Sequence, residues 1–469
     1  MTKIKFGLLF TFCLANLCIV HAQNIRILHP SLTTDKVEEL YQYGRFREVI
    51  QKVNDEIQTK YGIKNNLPTN TSGDSDHNIL PKIPLEKIAA TQLYYRGMSY
   101  FNIGKFQEAW PDLWSVHSRI LTPQEIKSPG MDAMMVKMLT QLNADFANVS
   151  PPGDDPLSKE VTQHMDMRAH ADSAIRIMQG LSILPKNKKS VTIDNVCVFN
   201  VYYDELNGFT QSVLDHAKEA VTANMQFMGY VVPETSVYVL RDISRANQVS
   251  RTFGRASVRA ELHGGFETNN VIFLYPLDNQ SRVTGALTHE YNHVILETWL
   301  GEPAFTMVGD PVLPKVPIWF KEGLAKMAEA ETDKSIISEN DLQMKDMIRN
   351  NLLLDPVKLE TDFNKLDETI TLAGKSNHQQ STYAQSLSMV RYLMENVSAN
   401  QIENFLNGFG TFDKKVSPAA TIISQNHSPT GTKATPNDSD NVLTKLIGCT
   451  MDQFYDSWQQ WAIKKYSTM

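Results

Sequence analysis

From residue 35 to about 180, apolar residues recur every three or four positions, the period of one face of a helix. Val37, Leu40 and Tyr41, then Phe46, Val49, Ile50 and Val53, do so on either side of Gly44, which predicts a helical hairpin. Gly97, Tyr100, Gly104, Phe106, Ala109 and Leu113 predict a second, with the polar stretch 65–83 as the loop between the two. A break over 150–156, Ser-Pro-Pro-Gly-Asp-Asp-Pro, precedes another helix expected from about 157 to 181. After the lysines at 186, 188 and 189 the period changes. Residues 196–203 are β-rich and read as a strand, 209–228 as a helix stopped by Gly229, and 236–240 and 271–275 as short apolar strands. A long helical segment around 284–300 follows, and the rest is helical except for 417–441, a stretch of Ser, Thr, Pro, Asn and Gly that reads as a loop.

This order predicts an α+β chain, mostly helical, in which a small sheet with helices packed on it follows a helical front end. At 469 residues the chain has room for two or three cores. The expected parts are a signal segment over 1–22, a helical region over 23–190, a sheet with its helices over 191–335, and a helical lobe over 336–469. The second hairpin resembles one tetratricopeptide repeat, with Gly97 and Ala109 where its two helices touch. That implies either a surface for a protein partner or support for the following domain, and one or two repeats are few for a free-standing array.

The N-terminus stands apart. Lys3 and Lys5 precede an apolar run from Phe6 to Val20, too short to span a membrane comfortably, and Val20 and Ala22 suit cleavage after Ala22. Leu17 before Cys18 does not suit a lipid anchor. No later stretch is apolar enough for a membrane helix, so the mature chain is expected to be exported, periplasmic or extracellular, without a membrane span. The formal charge of −7, with no run of Lys and Arg, speaks against a nucleic-acid partner. Cys13 and Cys18 leave with the signal. Cys197 and Cys449 remain, as a distant pair or as two separate thiols, and a cysteine zinc ribbon is excluded. Asn-x-Ser/Thr sequons begin at Asn70, Asn148, Asn279, Asn396, Asn426 and Asn437.

The candidate chemistry lies in His289-Glu290-Tyr291-Asn292-His293. On a helix, His289 and His293 stand one above the other and can share a metal ion, with Glu290 on the adjoining flank to act on a water. Val283, Ala286, Leu287, Val294 and Ile295 give that helix an apolar stripe, and Gly301 ends it. A third ligand is expected downstream. Pro317 suits a first helical turn, and Glu322 sits among Trp319, Phe320, Leu324, Met327 and Ala328, company in which a carboxylate usually has a cation partner. Its alternative is a carboxylate near a helix start. Gly323 and Ala325 are expected to let the two helices approach closely. Glu297, one turn beyond His293, reads as a surface carboxylate or as a group orienting that histidine.

His289–His293 followed by Pro-x-Trp-x-x-Glu-Gly-x-Ala resembles the gluzincin metallopeptidases, in particular the M1-like branch of the peptidase MA superfamily. The resemblance extends from about residue 191 to the C-terminus. It takes in Tyr383-Ala384-Gln385-Ser386, read as opening a helix, and the closing segment 453–461. It implies a zincin-like domain of a small sheet plus the HExxH helix with a helical C-terminal lobe. One Zn²⁺ would be held by His289, His293 and Glu322, with Glu290 as general base and Tyr383 stabilising the oxyanion. The substrate implied is a peptide or protein. Two features differ from the aminopeptidases: twenty-eight residues separate His293 from Glu322, with 301–316 as an insertion, and no Gly-x-Met-Glu-Asn signature stands upstream. The nearest segment is His263-Gly264-Gly265-Phe266-Glu267, and strand 271–275 is the expected edge for an extended substrate. The other functions compatible with these residues are a catalytically silent zincin-fold binding protein and a zinc hydrolase of a non-peptide amide.

Overall fold

The computed structural model describes residues 26–27, 36–42, 44–61, 88–120, 156–253, 264–276, 283–301, 316–356, 358–359, 376–396 and 448–467. The expected signal segment, the loops 65–83 and 417–441, the break before Pro156, nearly all of the insertion at 301–316, and every sequon asparagine except Asn396 lie outside the described residues. The described part is mostly helical, with a small mixed sheet of five strands. It falls into two compact units, one within Leu32–Ile183 and Gly301–Val312, the other within Met1–Ser31, Leu184–Leu300 and Leu313–Met469.

The first unit is helical. Its helices are α1 (Val37–Gln42), α2 (Phe46–Tyr61), α3 (Ala90–Asn102), α4 (Phe106–Arg119) and α5 (Pro156–Gly180). The turns α1–α2 and α3–α4 are built alike. Gly44 (φ +67°) and Gly104 (φ +73°) take the left-handed conformation, and the next amides, of Arg45 and Lys105, reach back to the carbonyls of Leu40 and Tyr100 at 2.9 Å. A glycine is needed there because a Cβ strains this conformation. Against Leu113 and Asp112 of α4, a Cβ on Gly97 would come within 2.9 Å, so α3 and α4 pack with backbone close to side chain. Beside that contact Arg96 donates to both oxygens of Asp112 at 2.7 and 2.8 Å and to Asn54 Oδ1 at 2.9 Å, all within the helical core.

The second unit begins with the two-residue strand β1 (Arg26–Ile27). After the helical unit come β2 (Asn187–Ile193), β3 (Cys197–Tyr203), α6 (Gly208–Met228), β4 (Tyr230–Val231), β5 (Glu234–Val239), α7 (Ile243–Thr252), β6 (Gly265–Thr268) and β7 (Val271–Leu274). Five of these strands form the sheet, in the order β2-β3-β5-β7-β6. The pairs at the two edges are antiparallel and the inner pairs parallel. The edge pairs are hairpins, β2–β3 joined by three residues and β6–β7 by two, and each connection holds two residues at positive φ, Asp194 and Asn195 in one, Asn269 and Asn270 in the other. The boundary expected at 190/191 falls inside β2. Strand 271–275, expected at the edge, is interior: β7 pairs with β5 on one side and β6 on the other, and Gly265–Thr268 is the edge.

Alternation along the strands sends Phe199, Val201, Val237, Val239, Ile272 and Leu274 to one face, where they join the buried core. On the other, Tyr202, Tyr238, Phe273 and Phe266 are register partners across four strands, stacked with ring centroids 4.5, 5.5 and 4.9 Å apart. This ladder favours one register, because a slip by one residue would turn each ring to the opposite face.

Helix α6 starts where the Asn207 side chain accepts from the Thr210 amide and stops at Gly229 (φ +73°). It packs with α8 (Val283–Leu300) in the core beneath the sheet. The remaining helices are α9 (Ile318–Thr332), α10 (Ser335–Arg349), α11 (Ser376–Asn396) and α12 (Met451–Ser467). Gly323 of α9 was expected to admit α8. It faces α11 instead, since a Cβ there would lie 2.5 Å from Val390 Cγ2 and 2.6 Å from the Ser386 carbonyl oxygen. The small residue turned from α8 towards α9 is Gly285, whose Cβ would meet Glu329 Oε1 at 3.2 Å. Among the described residues no helix is long and apolar enough to cross a membrane.

Candidate metal centre

Buried polar contacts set how α8 lies against its neighbours. The Tyr291 hydroxyl accepts from the Val232 amide at 2.9 Å and lies 3.7 Å from the Cys197 thiol. On α6, the Asn224 amide nitrogen donates to the Thr288 carbonyl at 2.9 Å, and its oxygen accepts from Asn292 at 2.9 Å. Buried hydrogen bonds of this kind are costly to misalign, so they hold the helix at one rotation. At that rotation His289 and His293 turn to α9, and Glu290 to the edge strand. Cys197 and Cys449 are free thiols.

His289 and His293, one turn apart on α8, meet Glu322 from the second turn of α9. His289 Nε2 lies 3.2 Å from His293 Nε2 and 3.2 Å from Glu322 Oε2, and His293 Nε2 lies 3.5 Å from the same oxygen. Three lone-pair-bearing atoms therefore form a triangle with edges of 3.2 to 3.5 Å. A tetrahedral zinc ion with ligands at roughly 2.0–2.2 Å sets its ligand atoms about 3.3–3.6 Å apart. The donor set and its spacing fit a divalent cation of this kind, and the group is the one cluster of metal-ligating side chains found among the described residues.

Electrostatics agree with that fit. Burial disfavours a charge on His289, but hydrogen bonds to Glu322 and Glu329 and the nearby Glu290 carboxylate outweigh it and raise the imidazole to about 9. Burial also works against a charged Glu322, yet His293 and His289 hold it well below the usual carboxylate range. In the absence of metal a proton on His289 thus supplies a positive charge that the carboxylates attract, and a metal ion would displace that proton.

Two residues not anticipated from the sequence complete the surroundings. Glu329, two turns after Glu322 on α9, places Oε2 3.4 Å from His289 Nδ1 and 2.6 Å from Lys326 Nζ. Burial disfavours its charge, but Lys326 and His289 keep it well below the ordinary carboxylate range. An imidazole whose Nδ1 faces a carboxylate keeps its proton there and leaves Nε2 to ligate. The i+7 spacing from Glu322 is the signal that could have found Glu329, since it returns to nearly the same face of a helix. The Glu297 carboxylate pairs with Lys321 at 2.7 Å.

The chain brings Tyr383 to the same place. Its ring lies 6.3 Å from that of His289, centroid to centroid, and Lys326 Nζ stands 5.7 Å from its centre. It does not open its helix, because α11 begins at Ser376, two turns earlier. Glu290, buried on α8, faces the edge strand: a Cβ on Gly265 would come within 3.1 Å of Glu290 Cγ. His289, Glu290, Lys326, Glu329 and Tyr383, with Leu342 and Leu352, line a cleft of about 870 Å³. No protein-family model, curated protein or solved structure that was compared with the chain matches it.

Proposed function

We propose that this chain is an exported zinc-dependent peptidase of the gluzincin type. The observation that carries the reading is the triangle of His289 Nε2, His293 Nε2 and Glu322 Oε2 at 3.2 to 3.5 Å, with Glu290 beside it on the same helix. In this reading the sheet with α6, α8 and α9 is the zincin-like core, the helices from α10 onward are its C-terminal lobe, and the front helices are tetratricopeptide-like hairpins. A zinc ion on the triangle would supply Lewis acidity, lowering the pKa of a water and polarising the scissile carbonyl.

The protein groups do the rest. Glu290 takes the proton of the attacking water and delivers it to the leaving amine. Tyr383 donates its phenol proton in a hydrogen bond to the oxyanion, a contact worth about 3–4 kcal/mol in comparable sites. Glu329 holds His289 as the tautomer that ligates through Nε2. Strand β6 is the edge along which an extended peptide pairs its main chain, and the absent side chain at Gly265 is what lets that edge run close to Glu290.

Replacing Glu290 by Gln in the purified mature chain tests the assignment. Zinc content is expected to stay at one per chain while cleavage of a peptide library is lost. A wild-type chain that binds zinc yet cleaves no peptide would instead make this a binding protein or a hydrolase of another amide.

A further inference from the structure

Lys326 has no place in the mechanism above, yet it stands at the junction of three helices that build the site. It lies on α9, one turn beyond Glu322, with its side chain 13% exposed, as is that of Glu329. Its ammonium is 2.6 Å from Glu329 Oε2, the same oxygen that stands 3.4 Å from His289 Nδ1 of α8. It is also 5.7 Å from the centre of the Tyr383 ring on α11. A partly desolvated ammonium is attracted both to a carboxylate and to the face of an aromatic ring, and its three donors let it serve both. Gly285 of α8 lies opposite the Glu329 side chain: a Cβ there would come within 3.2 to 3.6 Å of it, so the missing side chain is what lets the carboxylate sit against α8.

We propose that Lys326 is a positioning residue for hydrolysis, holding Glu329 against His289 and Tyr383 beside the metal ligands. The inference rests on the peptidase reading. A single cation thereby ties the orientation of a ligand to the placement of the oxyanion donor. Losing it frees the carboxylate to turn from His289 and removes the charge that steadies the phenol ring. Because the contacts of Lys326 are to Glu329 and the Tyr383 ring, its removal acts on turnover and on metal retention more than on substrate binding.

The test compares Lys326→Met and Lys326→Arg with the wild type in the full mature chain. Zinc affinity is read by competition with a chromophoric chelator, kcat and KM on a peptide that the wild type cleaves, and folding by thermal midpoint. The Met variant is expected to lose roughly 10–100-fold in zinc affinity, as is usual when the support of a metal ligand is removed. Its kcat is expected to fall at least about tenfold at saturating zinc, where a change of ~1.4 kcal/mol corresponds to that factor, with KM within about twofold. The Arg variant, which keeps a cation able to reach both carboxylate and ring, is expected to recover most of both losses. Unchanged zinc affinity and kcat in Lys326→Met overturn the proposal, and so does an Arg variant no better than Met. Should Lys326→Met fail to fold, Glu329→Gln replaces it: a matching fall in zinc affinity supports the tether, and unchanged affinity overturns it. A wild type that neither holds zinc nor cleaves peptides removes the peptidase reading itself; a wild type that does both, with unaffected variants, removes only Lys326.

Discussion

Each unit of this protein buries a cluster of charged side chains, and the two clusters are built on opposite principles. In the helical unit Arg96 faces Asp112 with two parallel hydrogen bonds and spends a third donor on Asn54. Donors and acceptors there are matched, and the cluster asks for nothing from outside. In the other unit His289, His293 and Glu322 turn three potential acceptors towards one point. No lysine or arginine among the described residues forms an ion pair with Glu322, and Lys326 is committed to Glu329. A buried polar cluster that satisfies itself joins helices; one that gathers acceptors around a gap is suited to a cation. Burial alone does not separate them, since His289 is as enclosed as Arg96.

That contrast is open to attack from several sides. The largest effect is expected from Glu290→Gln, which leaves the acceptor triangle intact but removes the proposed base: peptide cleavage should fall by about 10²–10⁴-fold or more in a steady-state assay, with zinc retained. Next comes the self-satisfied cluster. Arg96→Met strands the Asp112 carboxylate, which burial already pushes up despite the guanidinium beside it. Urea unfolding should show a loss of about 3–5 kcal/mol, most of it recovered in the double variant Arg96→Met/Asp112→Leu, because a matched apolar pair replaces a matched ionic one. If the double variant were as unstable as the single, the pair would be doing more than matching itself.

Tyr383→Phe is expected to lower kcat about 10²–10³-fold without loss of zinc, since only the proposed oxyanion contact goes. The smallest effect concerns protons. His289 in the metal-free fold titrates at about 9 rather than 6.5, so its contribution to stability is fully present below about pH 6.5 and is lost as pH rises through about 9. Thermal midpoints of the metal-free chain should therefore fall across that window. With zinc bound the fall should disappear, because a ligating imidazole carries no proton on the nitrogen it gives to the metal. A metal-free protein whose stability does not change between pH 6.5 and 9 would contradict the charge pattern assigned to the site.

Legibility in the sequence follows the strength of periodicity. Helices α6, α8 and α9 and the inner strands β3, β5 and β7 carry apolar residues at their own period, and they stand within a few residues of their expected places. Strands β2 and β6 do not. β2 is a lysine-bearing edge strand exposed over most of its length, so its residues answer to solvent and not to a core. β6 is four residues long and begins with glycine, and its clearest mark is the Asn269-Asn270 turn that follows it. Missing β6 is what moved the expected edge to β7. In the site, His289, His293 and Glu322 announce themselves by residue type and spacing. Glu329 shares a helix face with Glu322 by its i+7 spacing, but its role, like that of Lys326, shows only once α8 and α9 are side by side, because what matters is which neighbour each touches. Gly323 illustrates the same limit: its smallness is visible in the chain, but which helix it admits is decided by packing.

The central claim is that His289, His293 and Glu322 jointly hold one zinc ion. Metal analysis after equilibrium dialysis, on the wild type and on Glu322→Ala side by side, addresses it most directly. One zinc per chain in the wild type, with most of it lost in the variant and the fold retained, is the expected result. A wild type without zinc, or a variant that keeps its full metal content, would contradict the claim.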